Sequence, residues 1–283
     1  MNNSQQVLGT ESIGKLLLKY SVPAIIGMMV NALYNVVDRM FIGNIPGVGP
    51  LAITGLGVTM PIMTIILAFG MLIGIGTTTN ISIKLGQGKK EEAQNIIGSG
   101  MILSVIIGIL LTVVGIIFCD QILNMFGASE ATLSYAKAYT NILLLGATFA
   151  VMSMFFNNVN RGDGNPKLSA IIMVIGCLTN IVLDAILIFK FNMGIQGAAI
   201  ATITSQALTS IWGLSYYLRK KSNLEFKVST LRLNSKAIKS IFAIGVSPLS
   251  RLINVILTLS AANTGVIDDN AIAAANTAPK TFF

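Results

Sequence analysis

Charge is scarce in this sequence. Only 11% of its 283 residues are Asp, Glu, Lys or Arg, against about a quarter in ordinary soluble domains. A chain so poor in charge cannot cover a water-exposed surface. Its 53% hydrophobic content and mean hydropathy of +0.76 leave lipid as the outer solvent. Histidine is absent altogether, which excludes histidine-dependent catalysis and histidine-ligated metals. Two cysteines, Cys119 and Cys177, make no disulfide framework, and Cys177 lies inside an apolar run. No nucleophile–base pair, metal cluster or phosphate-loop lysine pattern occurs, so neither an enzyme nor a nucleotide-binding protein finds support and no cofactor is implied. Residues 1–14 are polar, so no cleavable signal peptide is expected and the first span must insert by itself.

Long apolar runs take the place of what is missing. A bilayer core of about 30 Å needs roughly 20 apolar residues per helix. That window finds spans near 16–42, 51–82, 96–118, 138–159, 168–190 and 194–218, with a seventh candidate over 240–260. Lipid offers backbone groups no partners, so each should be a helix. The expected fold is an all-α integral membrane protein: a six-helix transmembrane bundle and the partial start of a second.

The net charge of +8 belongs to the connectors between these runs and not to a nucleic-acid surface. Lys15 and Lys19, Lys84, Lys89 and Lys90, Arg161 and Lys167, and the dense group Arg219, Lys220, Lys221, Lys227, Arg232, Lys236 and Lys239 fall on one side. Arg39, Lys137 and Lys190 fall on the other. This bias places the N-terminus and the 219–239 connector in the cytoplasm. Three units follow: a lobe over 1–218, a connector over 219–239, and the start of a second lobe over 240–283. The stretches Ser12 to Tyr20 and Lys236 to Ile244 are amphipathic and are expected to lie on the cytoplasmic face before their helices enter the bilayer.

Those two stretches continue alike. LLLKYSVPAIIGMMVNALYNVVD begins the first span and IKSIFAIGVSPLSRLINVILTLS the seventh, with Pro23 against Pro248. Further on, Pro61 falls against Pro279. An even number of spans per unit makes the repeat parallel, as in two-lobed secondary transporters. A complete second copy would run well beyond residue 283, so a truncation is expected, with the second lobe missing from this chain.

Polar residues inside the spans supply the chemistry. Asn31, Asn35 and Asp38 share one face of the first span, and Asn180 and Asp184 share one face of the fifth. A carboxylate in the bilayer interior costs at least about 2.5 kcal/mol on insertion scales, so it must face protein, water or a cation. Two such groups, each backed by an amide, can offer oxygens to Na⁺ as metal ligands or bind a proton reversibly. The plainer reading is that each Asp only hydrogen-bonds neighbouring helices. Arg39 can pair with a carboxylate or reach the interface. Thr202 and Gln206, on one face of the sixth span, are cavity lining or interhelical glue. Gly70, Gly74, Gly76 and the run GIQGAAIAT from Gly194 point to close helix packing. The thirteen methionines suit a pliable ligand lining or plain core filling. In RGDGNPK at 161–167, glycine and proline set a turn and Asp163 is expected to cap or pair locally.

Four segments together resemble the multidrug and toxic compound extrusion (MATE) transporters, in their bacterial multidrug-efflux branch. They are SVPAIIGMMVNALYNVVDRMFIG, GTTTNISIKLGQGKKEEA, RGDGNPK, and NIVLDAILIF followed by GIQGAAIAT. The resemblance covers residues 12 to about 250. It implies two six-helix lobes, a central cavity and alternating access, with H⁺ or Na⁺ uptake driving export of amphipathic, often cationic, compounds across the cell membrane. The family's first-helix aspartate falls on Asp38, its fifth-helix asparagine and aspartate on Asn180 and Asp184, and a sixth-helix threonine on Thr202. Ala185 stands where the family often has proline. Movement of a lipid-linked substrate and a non-functional fragment are the alternatives. A cationic lipid-facing groove would favour the first of these, and the spans hold few cations.

Overall fold

The structure, a computed structural model, describes residues 12–219, 222, 224 and 230–263. Pro279, the second member of the pair with Pro61, and the rest of the chain over 264–283 lie outside the described residues, as do the side chains of Pro23 and Asn31. Nine α-helices are described: α1 Ile13–Gly43, α2 Gly49–Gly86, α3 Lys90–Ile117, α4 Cys119–Met125, α5 Glu130–Leu145, α6 Ala147–Gly162, α7 Pro166–Asp184, α8 Gly194–Leu218 and α9 Ser235–Asn263. A π-helical stretch, Ala185–Lys190, continues α7 without a break. No strand occurs among the described residues.

The apolar runs become helices close to the expected places. Length and apolarity qualify four described helices to cross a membrane, and the α5–α6 pair makes a fifth if it counts as one crossing. α8 is long enough at 25 residues but is not among these. It carries Thr202, Ser205, Gln206, Thr209 and Ser210, and four of them are buried in the bundle. Polarity that would be costly against lipid is here spent inside. Apolar residues face outward instead: Ile109, Leu110, Val113 and Ile117 on α3, and Leu178 and Val182 on α7, are exposed.

Ser12 to Tyr20 leads directly into α1, which runs unbroken from Ile13, and Lys236 to Ile244 is the start of α9. The fourth expected span is corrected: it is two helices bent by 57° at Gly146. Two contacts account for the bend. Thr112 of α3 donates its hydroxyl to the Leu144 carbonyl at 2.6 Å, drawing that oxygen toward α3. Gly146 itself lies directly under the Ile203 side chain of α8, where any Cβ would collide.

The buried interior forms two apolar clusters. One contains Ile97, Phe155, Phe156, Tyr217, Leu224 and Ile241; the other contains Ile42, Leu56, Tyr139, Ile188 and Ala198. Glycines bring helices close, as their spacing suggests. Gly70 meets Met154, Gly74 meets Asn158, and Gly197 meets Leu187. Cys119 and Cys177 are both buried and free.

Asp163 departs from its expected local role. It is 2% exposed and reaches across the bundle. Its Oδ2 accepts from Ser222 Oγ at 2.8 Å and from the Tyr216 hydroxyl at 3.3 Å. Asn165 performs the cap instead, accepting the Leu168 N–H at 3.1 Å ahead of Pro166 in the first turn of α7. Through Ser222 and the fully buried Leu224, the α6–α7 loop holds the chain that leaves α8. Asp163→Ala is therefore expected to speed tryptic cleavage after Arg219 by about fivefold by lowering the free energy of local opening, as measured by limited proteolysis of the solubilised protein.

Candidate functional site

α1 and α7 lie side by side and turn their polar faces inward. Asp38 is 7% exposed, Asn180 1%, Asp184 0% and Thr202 4%, so residues from three helices meet in one dry place. The Asp38 and Asp184 carboxyl groups are close neighbours that act directly on each other. In the amide orientation that satisfies its surroundings, Asn180 donates to Asp184 Oδ2 at 3.2 Å and accepts from the Thr202 N–H at 3.2 Å. Thr202 Oγ1 lies 3.4 Å from the same amide. Each carboxyl keeps one buried oxygen, Oδ1, without a hydrogen-bond partner.

Physical chemistry limits what such a pair can be. Two unit charges of like sign about 4 Å apart repel by roughly 4 kcal/mol at an effective dielectric of 20. Two neighbouring carboxyl groups can hydrogen-bond directly only if one of them carries a proton. Such a pair is relieved by sharing a proton or by parting around a cation. The bare Oδ1 atoms are hard oxygen donors, as Na⁺ prefers. No group of three or more His, Cys, Asp or Glu side chains comes together among the described residues, so only two carboxylates would hold a metal ion.

Beside the pair opens a cavity of about 360 Å³. Asn35, Asn180, Thr202 and Gln206 line it, so the amides chosen from sequence reach the same space as the acids. Asn31 is the exception, its side chain being outside the described residues. The remaining wall mixes Met60, Met63, Met154 and Met173 with Ser, Thr and Asn, and no Asp, Glu, Lys or Arg is among the lining residues. Thioethers on unbranched chains adapt their shape to a ligand at little cost. Arg39 is exposed and sets its guanidinium 3.7 Å from Met60 Sδ, at the edge of this lining.

Two residues were not foreseen. Tyr34 lines the cavity and sits one turn before Asp38 on the same face, a spacing that i, i+4 reasoning could have used. Tyr139 of α5 is 1% exposed, packs in a buried cluster with Ile42, Ile188 and Ala198 and has the Thr202 side chain as a close neighbour. Nothing in its neighbourhood along the chain signals this, because α5 meets α8 only in three dimensions. Tyr139→Phe is expected to destabilise the protein by about 1 kcal/mol, the scale of one interhelical polar contact in a membrane protein, read from thermal unfolding in detergent.

The arrangement is that of a membrane-embedded bundle with a buried acidic pair beside a substrate-sized recess. The MatE family model matches residues 23–186, and the chain belongs to that family of membrane transporters. It is 31% identical over 235 residues to the multidrug export protein MepA of Staphylococcus haemolyticus, a match that covers 83% of this chain and 52% of that protein. Among solved structures, it superposes on a MOP superfamily transporter from Pyrococcus furiosus with a TM-score of 0.82 and 28% identity, covering 90% of this chain and 56% of the other. A multidrug resistance MATE family transporter in an outward-facing conformation gives a TM-score of 0.79 at 27% identity, covering 84% and 52%. The chain spans about half the length of the relatives it matches.

Proposed function

We propose that this protein exports amphipathic, often cationic, compounds across the cell membrane by alternating access, driven by uptake of H⁺ or Na⁺ at Asp38 and Asp184. The carboxyl–carboxyl contact beside a neutral, methionine-rich cavity carries this reading. A cavity without fixed charge takes up varied organic molecules through shape and dispersion, and the export activity carried in the MepA relative's name supports the same assignment. The acid pair supplies the coupling: gaining or losing a cation changes whether α1 and α7 attract or repel at that point. The direct contact favours a proton, since a sodium ion would have to part the two groups. The basic connectors place the N-terminus in the cytoplasm, with the α1–α2 and α7–α8 turns outside.

Proteoliposomes test the reading. Imposed inward-directed proton or sodium gradients should drive efflux of a cationic dye from right-side-out vesicles containing the protein. Dye movement indifferent to both gradients would remove the coupling.

A further inference from the structure

The carboxyl pair has a second neighbour. A recess of about 570 Å³ is formed where the α1–α2 turn, the start of α5 and the α7–α8 turn come together. Ser134, Tyr135, Asn192 and Gln196 give it a polar, uncharged rim. Its floor is apolar: Ile45, Ala52, Ile188 and Ile195 of its lining belong to the buried cluster that also contains Ile42, Tyr139, Ala198 and Ala199.

That cluster lies one helical turn from the acid pair on each helix. Ile42 follows Asp38 by one turn of α1, Ile188 follows Asp184 by about one turn, and Ala198 precedes Thr202 by one turn of α8. α7 and α8 are joined by a short turn and run in opposite directions, so these three residues lie at the same level. Tyr139, packed in the same cluster as Ile42, Ile188 and Ala198, completes the layer. One stratum of side chains therefore separates a polar recess from two buried carboxyl groups with unpartnered oxygens. Ile42 is 0% exposed, Tyr139 1% and Ile188 3%.

The backbone under Ile188 is unusual. Ala185–Lys190 is π-helical, with the Phe191 N–H bonded to the Ile186 carbonyl at 3.0 Å. π-turns are rare and concentrate at functional sites. Passing from a π to an α turn would rotate the residues beyond it by about 100° around the helix axis, enough to swing Ile188 out of the layer.

From this geometry we infer that the second recess is the mouth of a separate cation route from the outer face to Asp38 and Asp184, closed here by Ile42, Ile188 and Tyr139. The inference rests on the coupling reading above and adds an entry path distinct from the organic-substrate cavity. Its occupant is a small hydrated cation. The rim offers hydroxyl and amide oxygens, and a single-layer plug opens far enough for water or an ion before it admits a drug-sized molecule.

Thiol labelling in whole cells tests the route. In a Cys119→Ser, Cys177→Ser background, Ile188→Cys is compared with Val151→Cys, which replaces a fully buried residue of the other cluster. A small, impermeant, cationic methanethiosulfonate added outside should label the Ile188→Cys protein at least about tenfold faster. The rate should survive Met173→Trp, which fills the first cavity. Equal labelling of both positions, or labelling abolished by Met173→Trp, overturns the separate route. An independent readout is exchange of the carboxyl proton in heavy water, followed by infrared spectroscopy. Ile188→Trp should slow it by about tenfold and Ile188→Ser should speed it, whereas Met173→Trp leaves it unchanged. The opposite pattern assigns the path to the first cavity. A wild-type protein with no exchangeable carboxyl band ends the coupling reading instead, and the labelling result then decides the route alone.

Discussion

Asp184→Asn is expected to abolish gradient-driven efflux, lowering the initial rate in proteoliposomes by at least about a hundredfold, or roughly 2.7 kcal/mol. The substituted amide keeps the size of the side chain but holds its protons permanently. It cannot release one to the other side of the membrane, and it cannot present a charge that a cation would neutralise. Asp184 is fully buried, so no solvent or neighbouring carboxylate outside the pair can take over. Asp38 loses its partner as well: against an amide it is free to stay charged or neutral without reference to α7. Dye affinity should change by less than about threefold, because neither carboxyl is among the residues lining the methionine-rich cavity. Measuring dye binding by fluorescence titration alongside efflux separates the two effects. Efflux that persists at the wild-type rate would reduce Asp184 to a structural hydrogen-bond partner.

Gly76→Leu should detach α9 from the bundle. The Cβ of any residue at position 76 would run into the Ile241 carbonyl, and on the facing helix a Cβ at position 245 would run into the Leu72 carbonyl. These are backbone-to-backbone contacts, and a backbone carbonyl inside a helix cannot step aside as a side chain can. Polar bonds reinforce the seam. Ser240 Oγ donates to Asn80 Oδ1 at 2.5 Å, Asn80 donates to the Gly76 carbonyl at 2.7 Å, and Ser99 donates to the Arg232 carbonyl at 2.8 Å. Overpacking a well-fitted interior costs about 1–3 kcal/mol where side chains can relax, and this seam leaves little to relax. A disulfide between Asn80→Cys and Ser240→Cys should therefore form readily in the otherwise unchanged protein and fall to background when Gly76→Leu is added. Undiminished cross-linking would show that the seam tolerates a leucine.

Much of this was legible one residue at a time. The cost of placing Asp38 and Asp184 in an apolar run marks them without any knowledge of their surroundings, and helical spacing adds Asn35 and Asn180. Thr202 and Gln206 stand out in the same way on α8. Tyr139 does not, since a tyrosine near the end of a span is ordinary and its partner lies on a helix that follows much later in the chain. Asp163 misled for a related reason. A turn such as RGDGNPK contains enough local donors to explain an aspartate, yet its oxygen is taken by Tyr216 and Ser222 from another part of the molecule. The 57° bend at Gly146 was hidden because an apolar window sees composition and not the carbonyl that Thr112 pulls aside.

What the amino-acid order determined alone was the solvent and the menu: too little charge for a water-facing surface, apolar runs that must be helices in lipid, and two carboxyls too costly to be accidental. Transfer free energies add up residue by residue, so they can be read without a fold. Which acid meets which, where the methionine-lined cavity opens, and that one layer of Ile42, Ile188 and Tyr139 divides the acid pair from a second recess were decided only when α1, α5, α7 and α8 packed. Contacts between helices depend on rotation and depth, and a hydropathy pattern leaves both undetermined.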